Sequence, residues 1–129
     1  LIPKSVGLCD VATFKNCVNL TSIVFEDGGD VPLYVGGDLW LENTQVTILV
    51  LPFKTYRIRG YWRRGSNLNT LYVKSTIPPI LEHGWGDNPD TCDLYVPIGC
   101  KEVYASATNW GSFRTITEYD FDLNPNNVH

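Results

Sequence analysis

Cysteine and histidine offer the widest chemistry in this sequence of 129 residues, and their spacing limits what they can do. The four cysteines stand at positions 9, 17, 92 and 100. None of them forms the C-x-x-C pair of a thioredoxin-like redox site or the closely spaced ligands of a zinc site. We therefore expect small buried thiols, no metal and no cofactor. Whether Cys92 and Cys100 are free or bridged stays open at this point.

The only internal histidine, His83, lies close to the carboxylates of Glu82 and Asp87. Such an imidazole can act as a general base. However, no motif places a serine or cysteine nucleophile beside it, and nothing in the chain resembles a phosphate loop or a nucleophile elbow. The sequence therefore predicts no catalytic residues, and we expect a protein that is not an enzyme.

A secondary basic patch holds four of the ten basic residues, namely Arg57, Arg59, Arg63 and Arg64. Aromatic residues are interleaved with them, a combination able to bind an anionic polysaccharide or nucleic acid. The whole chain, however, carries 14 acids and a net charge of −4, which argues against a nucleic-acid partner. Because Arg57 and Arg59 fit the solvent side of an alternating strand, an ordinary solvated face is the favoured interpretation.

The composition indicates one folded domain. An apolar fraction of 43% is enough for a core, and no stretch approaches the ~18 consecutive apolar residues of a membrane span. The chain contains no methionine and opens on Leu1-Ile2-Pro3, without the basic start and apolar stretch of a signal peptide. We expect it to be a processed or excised piece.

A repeat of about 23 residues organises the chain. Short apolar segments end at Phe25, Leu51, Val73 and Val96, which are 26, 22 and 23 residues apart. Two positions before each of these anchors stands isoleucine or leucine, and eleven positions before stands an aromatic residue. The aromatic column consists of Phe14, Trp40, Trp62 and Trp85. Several matching columns together indicate one structural unit with a constant inward face.

A strand that returns at this interval with the same side inward stacks parallel on its predecessor, as in a solenoid. We therefore predict parallel strands, adjacent in chain order, near residues 22–26, 47–51, 70–74 and 93–97. Pro52 and Pro97 lack the N–H group that would continue the ladder. A second extended stretch is clearest at residues 55–59, and short 3-10 or helical turns follow the aromatic column.

The pattern A-x-F-x-x-C-x-x-L-x-x-I-x-F, from Ala12 to Phe25, resembles the BspA-type leucine-rich repeat of bacterial surface proteins. Residues 94–116 are similar to the closing unit of such arrays. The resemblance implies a β-rich α/β fold, a leucine-rich-repeat solenoid (a right-handed β-α superhelix) over residues 1–119. Its repeats would span about 22–26 residues and its closing unit about 92–119. It also implies a bacterial cell-surface or secreted location and a role in adhesion.

The closing unit must cover the end of the core, because no further coil follows it. A capping helix is predicted over residues 101–107, with Val103, Tyr104 and Ala107 toward the core. Two bulky covers and a last strand are predicted next, at Trp110, Phe113 and residues 115–117. Residues 120–129 are predicted to be a tail or linker.

The candidate ligand site is the outer face of the predicted sheet. Residues between the inward columns would form one row there, consisting of Val24, Val50, Tyr72 and Tyr95. An apolar-to-aromatic row on a solvent face suits the binding of proteins or sugars. The same cross-strand neighbours would also stabilise a sheet that binds nothing, and that alternative remains.

Two functional hypotheses follow. The favoured one is a non-enzymatic adhesion module that recognises a host or bacterial surface protein or glycan through a solenoid face. The alternative is a carbohydrate-binding β-domain of a polysaccharide-processing system, in which Trp40, Trp62 and Trp85 form an exposed sugar platform. Buried tryptophans would favour the first hypothesis. Neither involves nucleic acid or a membrane span, and the ligand and oligomeric state stay open.

Overall fold

The computed structural model describes residues 7–9, 16–26, 28, 31–36, 41–59, 66–82, 85 and 89–122. Eight strands lie in these ranges: β1 Leu8–Cys9, β2 Leu33–Gly36, β3 Ile48–Leu51, β4 Thr55–Arg59, β5 Thr70–Val73, β6 Ile80–Glu82, β7 Asp93–Pro97 and β8 Thr115–Tyr119. They are accompanied by a 3-10 turn at Pro89–Thr91 and by helix α1 at Lys101–Ser106. The fold is thus α/β, rich in strands and poor in helix.

The strands form two parallel sheets that the chain visits alternately between β3 and β7. One sheet has the order β3-β5-β7-β8, and we call it the aromatic sheet. The other has the order β1-β2-β4-β6, and we call it the charged sheet. Both sheets are parallel at every described pairing. Each strand therefore pairs with a strand of its own sheet and not with the next strand along the chain, except at β1-β2 and β7-β8.

Three of the four predicted core strands are confirmed. Strands β3, β5 and β7 coincide with residues 47–51, 70–74 and 93–97, and they pair in parallel and in chain order. The segment at residues 22–26 forms no strand, and only Phe25 takes part in a bridge. The following repeat contacts the residues just before this segment, where the Gln45 N–H donates to the Leu20 carbonyl at 2.8 Å.

The core joins the inward sides of both sheets in one cluster of buried residues. In β3, β5 and β7, alternate residues are at most 1% exposed: Leu49, Leu51, Leu71, Val73, Leu94 and Val96. The charged sheet adds Leu33, Val35 and Ile58, all at 0% exposure. Each such side chain stabilises the fold by roughly 1.5–3 kcal/mol relative to an exposed one. The inward residues that the sequence predicts for β3, β5 and β7 therefore lie in the core.

The charged sheet is a feature that the repeat columns do not predict. The extended stretch expected at residues 55–59 is strand β4, and β2 and β6 flank it. The facing residues Val35, Ile58 and Leu81 recur at an interval of 23 residues, but the columns aligned on the core strands do not include them. Their pairing brings Tyr34 opposite Arg57, and Arg57 opposite Ile80.

The closing unit is confirmed in outline and corrected in one residue. Helix α1 begins after the N-cap residue Cys100, and Tyr104 is buried. Val103, predicted to face the core, is 45% exposed. Consecutive helical residues diverge by about 100°, so a six-residue helix on the surface presents only one of this pair to the core. The covers Trp110 and Phe113 are buried, and the expected last strand is β8.

Cysteine burial divides the chain. Cys92 and Cys100 are free and buried, as expected of small apolar thiols. Cys17 is free but exposed, so the expectation of burial is wrong there.

In the aromatic column Trp85 is buried at 5% exposure. Several residues of interest from the sequence lie outside the described ranges, namely Phe14, Trp40, Trp62, Arg63, Arg64, His83 and the tail from residue 123.

Candidate functional site

The outer row of the aromatic sheet is assembled by strand register. Val50 lies opposite Tyr72, Tyr72 opposite Tyr95, and Tyr95 opposite Thr117 of β8. The first three side chains are half-buried, and Thr117 is exposed. Val24, the fourth predicted member, is also half-buried but lies in the segment that forms no strand. Three of the four predicted residues are therefore neighbours on one face.

Tyrosine rings dominate this face. The rings of Tyr72 and Tyr95 stack with centroids 4.5 Å apart and an interplanar angle of 15°. Tyr119 meets both rings edge-on, at 5.3 Å from Tyr72 and 6.0 Å from Tyr95. Stacked and edge-to-face pairs of this kind are each worth about 0.5–1.5 kcal/mol beyond their buried area. The face is therefore held in a fixed arrangement before any ligand arrives.

Phe121 completes what we call the aromatic cluster, which consists of Tyr72, Tyr95, Tyr119 and Phe121. Its ring lies 5.1 Å from that of Tyr119 and 6.3 Å from that of Tyr72. The Lys74 ammonium lies 5.9 Å from the Phe121 centroid, within reach of a cation–π interaction. The sequence assigned Phe121 to a tail and did not single out Tyr119. The alternation of Thr115, Thr117 and Tyr119 was the signal that β8 would extend the face.

The Tyr72 hydroxyl on this face stays protonated at neutral pH. Burial raises the pKa of Tyr72 above its ordinary value, and the neighbouring hydroxyls of Tyr95 and Tyr119 add to the rise. A phenol that stays protonated keeps both its donor and its acceptor capacity. The Tyr72 hydroxyl can therefore both donate and accept a hydrogen bond at neutral pH.

Two clefts adjoin the ends of these strands, and Phe53 and Thr76 line both of them. The first has a volume of about 410 Å³ and includes Tyr119, Phe121 and Asp122 in its lining; we call it the mixed cleft. The second has a volume of about 600 Å³ and we call it the apolar groove. Its lining includes the exposed side chains Phe53, Tyr56, Ile77 and Ile80.

The two described residues of the predicted basic patch, Arg57 and Arg59, lie on the charged sheet, and there Arg57 has a counter-ion. Its Nε lies 3.0 Å from Oε1 of Glu82, and the Tyr34 hydroxyl donates to Oε2 of Glu82 at 2.9 Å. The hydrogen bond to Glu82 is the main cause that raises the pKa of Tyr34. Arg59 is exposed on the same strand. The structure therefore places Arg57 and Arg59 on a different sheet from the tyrosine row.

A charged cluster that the sequence did not single out lies at the amino ends of β7 and β8. Arg114 binds Asp93 with two nitrogens, at 2.9 and 2.8 Å, and the Thr115 hydroxyl donates to Asp93 at 2.8 Å. The Arg114 hydrogen bonds, followed by that of Thr115, lower the pKa of Asp93 to about 2. Asp93 therefore stays ionised at neutral pH and fixes one rim of the face.

Other kinds of site find no support in the described part of the chain. Among its residues no three of histidine, cysteine, aspartate and glutamate stand together as a metal site would require. No helix in those ranges has the length and apolar character to cross a bilayer. The buried Trp85 donates its Nε1–H to the Asn109 carbonyl at 2.6 Å, so it is no part of a sugar platform. No protein-family model, curated protein or solved structure matches this chain.

Proposed function

We propose that this chain is a non-enzymatic recognition module that binds a surface protein or glycan through the outer face of the aromatic sheet. The observation that carries the proposal is the aromatic cluster, whose central Tyr72 and Tyr95 rings stack on a face that remains only half-buried. A contiguous aromatic surface costs solubility unless a ligand uses it. Rings supply large, rigid contact areas with little conformational entropy to lose on binding.

We also propose that the module is a leucine-rich-repeat solenoid, a right-handed β-α superhelix of the BspA type. Supporting this, main-chain hydrogen bonds recur about one repeat apart: Asn69 N–H to Thr47 O, Asp93 N–H to Asn69 O and Arg114 N–H to Cys92 O, each at 2.9 Å. Side chains follow the same interval, as in the bond from Asn67 to the Thr44 carbonyl, 23 residues away. The same resemblance implies a cell-surface or secreted location and a role in adhesion, and we propose both together with the solenoid.

For the alternative, a carbohydrate-binding β-domain, the structure provides one observation against and one in favour. Its tryptophan platform is unsupported at Trp85, which is buried. In its favour, Tyr119 and Phe121 lie beside a cleft that also contains charged side chains. Both functions therefore predict a ligand on this side of the molecule, and they differ in the ligand's chemistry.

The test is a screen of the soluble chain against a glycan array and a panel of extracellular-matrix proteins. We expect the double substitution Tyr72→Ser and Tyr95→Ser to abolish binding to any ligand found. The matched control makes the same chemical change on the charged sheet, Tyr34→Ser with Tyr56→Ser, and should retain binding. Circular dichroism melts establish that each variant is folded.

One pattern of results would overturn the face assignment. If binding survives the loss of Tyr72 and Tyr95 but disappears when the arginines of the basic patch are neutralised, the charged sheet is the recognition surface. The four arginines to be changed together are Arg57, Arg59, Arg63 and Arg64.

A further inference from the structure

Two clefts flank Phe53 and Thr76, and only one of them combines rings with groups of both charges. We propose that this mixed cleft, at the carboxyl ends of β5, β7 and β8, is a binding site for a neutral saccharide. The inference rests on the proposed recognition function and names the ligand class for one part of that surface. It does not require the stacked Tyr72–Tyr95 pair to contact the sugar.

The position of the cleft follows from the fold. Lys74 comes directly after β5, Pro97 ends β7 and Tyr119 ends β8, and all three side chains line the cleft. Parallel strands of one sheet end at the same edge, so residues distant in sequence converge there. The volume of about 410 Å³ falls within the roughly 300–1,000 Å³ of small-molecule sites. A short oligosaccharide is therefore a ligand of suitable size for this cleft.

Aromatic rings give the cleft its apolar component. Tyr119 and Phe121 both contribute to the lining, and their ring centroids are 5.1 Å apart. The C–H faces of a pyranose are apolar, while its rim carries hydroxyls, so a sugar packs one face on a ring and leaves its rim for hydrogen bonds. The contacts of these rings with Tyr72 hold them in place on the strand side.

Polar side chains supply partners for that rim. The Asp122 carboxylate is an acceptor that suits a sugar hydroxyl, and the Lys74 ammonium is a donor. The Asp122 main chain is positioned by its neighbour, since its N–H donates to Oδ1 of Asp120 at 3.1 Å. Hydrogen bonds to charged groups are stronger than those between neutral groups. Two such groups around two rings give a sugar both stacking and orientation.

Charge selects among saccharides. Among the described residues of the lining, Asp120 and Asp122 contribute carboxylates and Lys74 contributes an ammonium. A sulfated or uronic sugar would place further negative charge beside these carboxylates, and like charges at close range repel. A neutral hexose or N-acetylhexosamine carries no such cost. The cleft therefore favours neutral saccharides over glycosaminoglycans.

The neighbouring apolar groove is chemically different. Phe53, Ile77 and Ile80 are 68%, 75% and 57% exposed along it, and among the described residues of its lining Lys54 alone is charged. Nothing in the structure indicates what covers these side chains, so no ligand is assigned to them. The contrast shows that the saccharide assignment depends on the combination of rings, carboxylates and ammonium and not on an opening alone.

The experiment titrates the full chain, labelled with ¹⁵N, with cellohexaose, chitohexaose and mannohexaose, each to about 10 mM so that millimolar affinities are detected. A heparin hexasaccharide serves as the anionic comparison. We expect at least one neutral probe to bind and to shift the amide signals of Lys74, Thr76 and residues 119–122. The heparin probe should bind at least about tenfold more weakly, in line with a charge difference of about 1.4 kcal/mol.

Variants then test the individual groups. Asp122→Asn should weaken binding of the best probe roughly tenfold to a hundredfold, the equivalent of one charged hydrogen bond. Phe121→Ala should abolish binding, whereas Phe121→Trp keeps a ring and should retain it. Glu102→Gln, which removes one exposed carboxylate from α1, is the matched control and should change nothing. Thermal melts identify any variant that loses binding because it is unfolded.

The outcomes separate this inference from the proposed function. It is overturned if no neutral probe binds, if binding is unchanged in Asp122→Asn and Phe121→Ala, or if the heparin probe binds best. In each of these cases a ligand lost with Tyr72 and Tyr95 would still support the recognition face. The converse result is also possible: a saccharide binds in the mixed cleft, and no array ligand depends on Tyr72 and Tyr95. It would support the saccharide site and contradict the proposed recognition face.

Discussion

The aromatic sheet and the charged sheet share one construction and differ in what they show to solvent. Both are four-stranded and parallel, and both bury alternate aliphatic residues in a common core. Outside, the aromatic sheet presents the stacked Tyr72 and Tyr95 rings. The charged sheet presents Glu82, which accepts the Tyr34 hydroxyl and pairs with Arg57.

This difference is the reason that we propose the aromatic sheet, and not the charged sheet, as the recognition surface. In the charged sheet Tyr34, Arg57 and Glu82 already contact one another, so a ligand at these three groups would have to compete with those contacts. In the aromatic sheet the rings are ordered by one another but keep solvent-accessible surface, and a ligand can cover that surface without breaking a hydrogen bond. Arg57, which the sequence singled out for its charge, is thus less available to a ligand than Tyr72 and Tyr95.

The largest expected effect comes from removing Trp110, one of the two bulky side chains that cover the end of the core shared by both sheets. Trp110 is 1% exposed and its ring stacks against that of Phe113. Its Nε1–H donates a hydrogen bond of 3.0 Å to the carbonyl of Pro79, the residue before β6. We expect Trp110→Ala to destabilise the protein by roughly 3–5 kcal/mol in denaturant melts, because a large buried ring leaves a cavity. Hydrogen exchange should show both sheets losing protection together.

The control for this prediction is Trp110→Phe, which keeps a ring and removes the hydrogen bond. It should cost about 1–3 kcal/mol. Loss of protection in only one sheet of Trp110→Ala would contradict the view that the two sheets share one cooperative core.

A smaller effect should be confined to the charged sheet. Arg57 and Glu82 are partly exposed, with side chains at 38% and 27%, so we expect Arg57→Ala to cost about 1 kcal/mol in urea melts. Arg59→Ala, at an exposed position on the same strand, is the matched control and should cost clearly less. Glu82→Gln should also lower the pKa of Tyr34 in a spectrophotometric titration, since the bond to that carboxylate raises it. Equal losses from the two arginine variants would show that the pair contributes nothing.

The smallest expected effect concerns the charged rim of the aromatic sheet and depends on pH. The pKa of Asp93 is lowered to about 2 in the folded protein, from an ordinary value of 3.8. A depressed carboxylate pKa gives stability that is fully present above about pH 4 and is lost as the pH falls from about 4 to 2. Thermal midpoints of Asp93→Asn should therefore lie slightly below those of the natural sequence at pH 6, and the gap should close near pH 2. A gap that persists at pH 2 would assign the effect to packing instead of charge.

The candidate site was partly predictable from the sequence. Tyr72 and Tyr95 follow from alternation between inward columns, because a strand places successive side chains on opposite faces. Tyr119 and Phe121 were missed, since β8 belongs to the closing unit and lies outside the columns. The ion pair between Arg57 and Glu82 was also missed, because no local rule indicates which residue of a neighbouring strand will lie beside an arginine.

The sequence by itself determined strands β3, β5 and β7 with their inward residues, and the position of helix α1. These depend on periodicity within a few residues and on the return of one pattern about every 23 positions, both of which are properties of the chain alone. Only the tertiary structure decided how surface groups meet. The Tyr34 hydroxyl bonds to Glu82 across 48 residues of sequence, and Phe121 reaches Tyr72 only because β8 adds to the far side of β7. Lateral contacts of this kind depend on which strands become neighbours and in what register, and that is settled by packing the whole core.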